Sequence, residues 1–410
     1  MAVKPKLALI PSGYKASKVY SVLPSDGVGD FDFSRSGQAT RVNEDGLIET
    51  VDSNVPRLNY PMIDGVVSGC PSLLLEPART NLIQYSEDFS NASWIKTSLT
   101  ITSNQTTSPK GDLTADLLTK TAGGGFIQST TPTASTSTQS FFVKKDTSDW
   151  VYILNGVGFR YFDLVNGVKG NGSDVNSSIE DFGNDWWKIT ITTNSTTYFR
   201  IYPAEENSTS ATSGSIYIWG AQLEEGSYAT SYIPTNGSQV TRNAETCNGA
   251  GDANTFNDSE GVLFAEISAL DDDLTFRTIS ISDGSTSNNV GFGYRNNSNV
   301  IYTFLKSDIN SSSAVTVSDI TLYNKVAVKY KSGEFQMWIN GFERYSSTTT
   351  FTLSGLNEFA FDNGGGSANF YGNTKQIQYF DTVLNDTDLE ELTSWTSFSE
   401  MATGQLYTIE

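Results

Sequence analysis

Short runs in which apolar and polar residues alternate recur through most of this chain, and that period of two limits its fold more than any other feature. The runs at 140–145, 150–154, 187–192, 198–202 and 215–219 are rich in Phe, Tyr, Trp, Ile and Val. So are those at 261–267, 277–281, 289–294, 300–304, 324–330, 334–339 and 370–379. Alternation sends successive side chains to opposite faces, and branched or aromatic residues suit a pleated, half-buried surface. Clusters of Gly, Asn, Asp, Ser and Thr separate the runs and read as turns. Residues 386–395 alone read as helix. There Asn385 or Asp386 can cap, acids fill the first turns, and Leu389 and Leu392 share a face. The expected class is all-β, with an irregular N-terminal arm, two antiparallel β-sandwich (jelly-roll) domains and one short C-terminal helix.

At 410 residues the chain exceeds one ordinary core. Residues 1–60 carry Pro5, Pro11, Pro24 and Pro56 with glycines between them, and predict an extended arm held by the protein's own domains or by a neighbouring subunit. Residues 61–245 hold about eight strand candidates, enough for a jelly roll. After an aperiodic stretch near 245–258, strands resume and predict a second sandwich over 246–410. Within the first sandwich, Ile216 and Ile218 share one strand face and Tyr217 and Trp219 the other, so this strand is expected to be covered on both sides. Asn340-Gly341 after an apolar strand predicts a tight hairpin. Glu76 and Arg79, beside Pro77, are placed to form a charge-assisted clamp at a bend.

Absences narrow the chemistry. The chain has no histidine, which removes Ser-His-Asp and Cys-His catalysis and imidazole metal sites together. Cys70 and Cys247 are too few for a disulfide framework and are expected as buried, reduced thiols. A net charge of −20, from 26 basic and 46 acidic residues, disfavours nucleic acid and anionic membrane surfaces as partners. The N-terminal apolar run is short and broken by prolines, matching neither a signal peptide nor a membrane span. Glycine runs at 123–125 and 364–366 lack a following Lys-Ser/Thr and read as turns.

Two sets of motifs carry a family resemblance. Residues 73–86 (Leu-Leu-Leu-Glu-Pro-Ala-Arg-Thr-Asn-Leu-Ile-Gln-Tyr-Ser), with Phe89 and Trp94, open the first module, and residues 216–235 with 240–242 close it. Together with 56–60 and the strand start at 185–188, they resemble the carbohydrate-binding-module-like jelly roll of phage tail and head-associated proteins. The second module, through 325–341, 370–372 and 380–392, resembles the concanavalin-like (laminin-G-like) sandwich of the same class. The resemblance implies a bacteriophage virion protein, a fibre, tail or capsid decoration component. It implies assembly in the host cytoplasm, with other virion proteins, further copies of itself and a host surface glycan as partners.

Sugar binding would use aromatic faces, and the candidates are Trp94, Trp150, Tyr161, Trp186, Trp187 and Tyr198. Adjacent Trp186 and Trp187 must face opposite ways on a strand, so one is expected in the core and one outside. Asp271-Asp272-Asp273 and the 283–289 segment offer oxygens to Ca²⁺ without the spacing of a calcium loop, so no cofactor is expected. Glycoside hydrolysis needs two carboxylates flanking one bond. Glu266, Glu334 and Asp381 stand isolated, so the chain is expected to be non-catalytic. The expectation is multivalent adhesion to glycan; its rivals are a purely structural virion subunit and a polysaccharide depolymerase.

Overall fold

The computed structural model describes residues 3–129, 131, 133, 135–174, 176–395 and 400, and these form an all-β protein of two antiparallel sandwiches with one short helix near the C-terminal end of the described chain. In the first sandwich, one six-stranded sheet runs in the order Leu99–Thr106, Ala115–Lys120, Ser215–Glu225, Ser137–Lys145, Trp186–Thr193, Asn176–Asp181. The facing sheet runs Ile95–Thr97, Phe126–Ser129, Phe199–Ala204, Trp150–Leu154, Phe159–Asp163, Val168–Gly172. Alternation supplies the core: Phe141, Val143, Ile189, Ile191, Ile216 and Ile218 of one sheet meet Ile127, Val151, Ile153, Phe162, Phe199 and Ile201 of the other.

The second sandwich faces an eight-stranded sheet against a five-stranded one. The smaller sheet orders Asn310–Thr316, Val300–Lys306, Asn289–Tyr294, Arg277–Ser282 and Glu358–Ala360. The larger is built on Phe342–Ser347, Glu334–Ile339, Asn324–Lys331, Glu260–Ala269 and Gly372–Phe380, and then continues into residues from the start of the chain. Ser72–Leu75 pairs with Gly372–Phe380 at Leu73↔Thr374, Arg57–Asn59 pairs with Ser72–Leu75, and Leu7–Leu9 pairs at Leu7↔Tyr379.

The stretch expected as an extended arm is therefore part of a folded unit. Leu7, Leu9, Val19, Phe31, Phe33, Leu58, Leu73 and Leu75 lie in one continuous core with Leu263, Ile279, Phe292 and Ile377. Each such side chain contributes about 1.5–3 kcal/mol on burial, so the second sandwich depends on the first 75 residues for much of its core. Thr246–Asn248 completes a small sheet with Phe31–Ser34. The first sandwich, from about Arg79 to Arg242, is consequently an insertion between two segments of the second. The strand partners lie some 300 residues apart in sequence, so no local pattern reveals the pairing.

Where the chain leaves the second sandwich and returns to it, a buried ion network joins the crossings. Arg57 contacts Glu245 and, at 2.6 Å, Glu76; Arg35 reaches Glu245 at 2.7 Å and Arg242 reaches Glu76 at 2.9 Å. All five side chains are at most 3% exposed. Glu76 is thus held by Arg57 and Arg242, and the expected clamp with Arg79 does not form. Arg79 instead lies over the Tyr228 ring. The arginines on Glu76 and the donors of Ser231 outweigh desolvation by burial and hold its carboxyl down at about 2.

Other local expectations resolve cleanly. Asn340 and Gly341 take φ of 51° and 87° and close the hairpin at Ile339↔Phe342. The helix is Asp386–Thr393, capped by Asn385, whose side-chain oxygen accepts the Asp388 N–H at 3.0 Å. Its Leu389 and Leu392 cover Val262, Phe264, Ala327 and Trp338 on the outside of the eight-stranded sheet. Both cysteines are free; Cys247 is buried as expected, and Cys70 is exposed. No helix among the described residues is long and apolar enough to cross a membrane.

Candidate functional site

The outer faces of the first sandwich differ in what covers them. On the sheet holding Ser137–Lys145 and Trp186–Thr193, the outward residues are Phe142, Trp186, Tyr217 and Trp219. Ile48, Phe182 and Tyr232 lie over them in one cluster, which buries Trp186 to 2% and Trp219 completely. On the opposite sheet most outward positions stay half-exposed, although Tyr202 and Gln128 are buried. Trp150, Tyr152 and Leu154 alternate with buried Val151 and Ile153, Phe159 and Tyr161 precede buried Phe162, and Arg200 and Tyr202 flank buried Ile201.

These residues form one aromatic field across neighbouring strands. Tyr152 and Tyr161 are 4.4 Å apart between ring centroids, Tyr152 and Tyr202 5.1 Å, and Phe126 and Tyr202 5.1 Å. Phe159 lies 5.8 Å from Tyr152. Arg200 sits over both the Tyr198 and Phe126 rings, at 4.1 and 4.4 Å, and its Nε donates to the Gln128 side chain. At one end the absent side chain of Gly170 makes room: a Cβ there would stand 2.7 Å from the Trp150 ring and 3.2 Å from Tyr161. Burial pushes the Tyr152 phenol up to about 12, with neighbouring phenols adding to the effect, and Tyr161 and Tyr202 are raised by the same cause. The face therefore presents neutral hydroxyls beside apolar rings, plus one guanidinium and one amide.

The expected sugar-binding residues separate into three groups. Trp150, Tyr161 and Tyr198 belong to this field. Trp94 is core: it packs on Phe89 and Phe199, and its Nε1–H donates to the Tyr85 carbonyl at 2.9 Å. Trp186 faces outward as alternation requires, yet it is sealed by its neighbours and donates to the Thr107 carbonyl at 3.0 Å. Trp187 points inward at the end of the sandwich, half-buried, with its Nε1–H on the Leu164 carbonyl and its ring against Gly167. Neither member of the Trp pair is a free platform. The field also holds Tyr152 and Phe159, which the i, i+2 spacing of rings at 150/152 and 159/161 marks, and Tyr202, Phe126 and Arg200, which only strand pairing brings to it.

The acidic segments point elsewhere. Asp271 accepts from Ser227, Asp272 from Ser298 and the Asn299 N–H, and Asp273 pairs with Arg277 at 2.7 Å. Among the described residues, no group of three or more Asp, Glu, His or Cys converges on a common point.

No protein-family profile and no curated protein sequence matches the chain. Several solved structures are similar over part of it. The carbohydrate-binding module (CBM40) of Ruminococcus gnavus IT-sialidase, bound to α2,3-sialyllactose, shares 16% identity over 36% of this chain and 88% of that one, with a TM-score of 0.31. Domain 4 of AbnA, a GH43 extracellular arabinanase of Geobacillus stearothermophilus solved with arabinotriose, shares 13% identity over 42% of this chain and 83% of its own, at 0.32. NanB sialidase of Streptococcus pneumoniae matches 36% of this chain over 26% of its own length, with 16% identity and a TM-score of 0.30.

Proposed function

We propose that this protein binds glycans without transforming them, and that the aromatic face of the inserted sandwich is where the sugar chain lies. The observation that carries this reading is the set of half-exposed rings Phe126, Tyr152, Tyr161 and Trp150 on neighbouring strands, linked through the buried Tyr202 ring. Strands ~4.8 Å apart space these rings at intervals comparable with successive sugar units. Rings cover the apolar C–H face of a sugar while Gln128, Arg200 and the phenols meet its hydroxyls. The motif resemblance adds the setting: a subunit of a phage particle, where many copies turn weak single contacts into firm adhesion.

Purified protein clustered on beads is expected to retain the host's extracted surface polysaccharide, with no release of oligosaccharides. Tyr152→Ala combined with Tyr161→Ala should abolish retention. Retention that survives this pair would remove the face from the site. A purely structural role draws on Val157, Val165 and Val168, which rim the same sheet at 50–53% exposure as a protein contact would require. In that case beads would retain other particle subunits and no polysaccharide.

A further inference from the structure

The second sandwich carries a groove on the outside of its five-stranded sheet, and its construction differs from the aromatic face above. Gly291 and Gly293 point outward from Asn289–Tyr294, opposite Phe304 and Tyr302 of the neighbouring strand. With no Cβ beneath them, both rings lie down across the sheet: a Cβ on Gly291 would stand 2.8 Å from the Phe304 ring. Tyr302 reaches over Gly293 so that its hydroxyl meets Thr278 Oγ1 at 3.0 Å. Its ring stacks with Phe304 at 5.6 Å and 30°, and Phe276, 40% exposed, meets it edge-on at 5.7 Å. The result is a groove of about 420 Å³ floored by the Tyr302 and Phe276 rings, with Phe304, 4% exposed, in its lining.

Two further observations concern what the groove would hold. Arg295 and Lys306 line it, and among the described residues neither side chain has a hydrogen-bond or ion-pair partner, although the chain carries 46 acidic residues. The nearby acids are engaged elsewhere, Asp308 by the Thr352 N–H and Asp362 by the Gly364 N–H. Asn289, also in the lining, is 1% exposed; its Nδ2 donates to the Asn363 carbonyl at 2.7 Å, yet its Oδ1 accepts nothing. A buried acceptor without a donor costs about 1–3 kcal/mol, which a ligand hydroxyl would recover.

We propose that this groove is a second sugar site, specific for a carboxylate-bearing (uronic-acid type) residue. The pyranose would lie on the Tyr302 ring beside Phe276, one hydroxyl would donate to Asn289 Oδ1, and the carboxylate would face Arg295 and Lys306. The assignment rests on its own residues and does not require the glycan-binding reading of the other sandwich.

The test titrates the full chain with oligomers of galacturonate, glucuronate and mannuronate, and with their methyl esters as neutral controls. Saturable binding of at least one acid is expected, weakened roughly tenfold or more in Arg295→Gln/Lys306→Gln and by added salt. Neither cation has a partner among the described residues, so this variant should fold, which a thermal melt verifies. Binding of no carboxylated oligomer overturns the proposal, as does equal binding of the methyl esters. Binding lost in Tyr152→Ala/Tyr161→Ala but kept in Arg295→Gln/Lys306→Gln would place the acid on the other face and overturn it too.

Discussion

The two outer faces of the inserted sandwich carry similar aromatic loads and have opposite fates. One sets Phe142, Trp186, Tyr217 and Trp219 under Ile48, Phe182 and Tyr232; the other leaves Phe126, Trp150, Tyr152, Phe159 and Tyr161 half-open. Ring content alone therefore does not separate scaffold from site. What separates them is the cover on one face, made by Phe182 and Tyr232 of the inserted sandwich itself and by Ile48 of the N-terminal segment, which the Arg35–Arg57–Glu76–Arg242–Glu245 network anchors.

That contrast can be broken most severely at the anchor. Glu245→Ala would leave Arg35 and Arg57 buried without their shared carboxylate, a loss of about 3–5 kcal/mol. Urea unfolding should show it, and limited proteolysis should cut first within residues 35–57. Trp219→Ala comes next: it empties a fully buried site on the covered face and should cost about 3–5 kcal/mol with no specific effect on sugar retention. The same truncation at Tyr152, half-exposed on the open face, should move stability by about 1 kcal/mol or less while sugar retention falls. If Trp219→Ala instead abolished retention in protein that remained folded, the covered face would have to be reconsidered.

pH sharpens the comparison further. Glu76 has a folded pKa of about 2, below its ordinary value, so its stabilisation is complete above the normal carboxylate range and fades as pH falls from about 4.5 toward 2. Asp116, on the covered-face sheet, behaves oppositely. Burial raises it to about 6, so stability should rise as pH falls from about 6 toward 4. A melting-temperature profile should therefore peak between these limits, and Asp116→Asn should flatten the limb above the peak. The smallest effect is on the open face. With the Tyr152 phenol near 12, sugar retention should not change between about pH 6 and 9, a range chosen well below that value.

Much of this could be read from residues alone. The strands Trp150–Leu154, Asn289–Tyr294 and Glu334–Ile339 fall where alternation puts them, because a period of two is a local property. The Asn340-Gly341 turn and the Asn385 cap were legible for the same reason, each needing a few neighbouring residues. Strands such as Asn310–Thr316 were not: Asn-Ser-Ser-Ser-Ala-Val-Thr carries no apolar alternation, and pairing along Val300–Lys306 makes it a strand.

Alternation also dictated that Trp186 and Trp187 point opposite ways, and that Tyr217 and Trp219 share a face. It could not say which face would be roofed, since the roof brings Phe182 and Tyr232 together with Ile48 from the distant N-terminal segment. Nor could it pair Glu76 with Arg57 and Arg242 over nearby Arg79, because buried ion pairs form where crossings of the fold converge. Periodicity and turn chemistry act over a few residues and are written in the sequence. Coverage, pairing and exposure depend on distant segments meeting, and only the tertiary structure decides them.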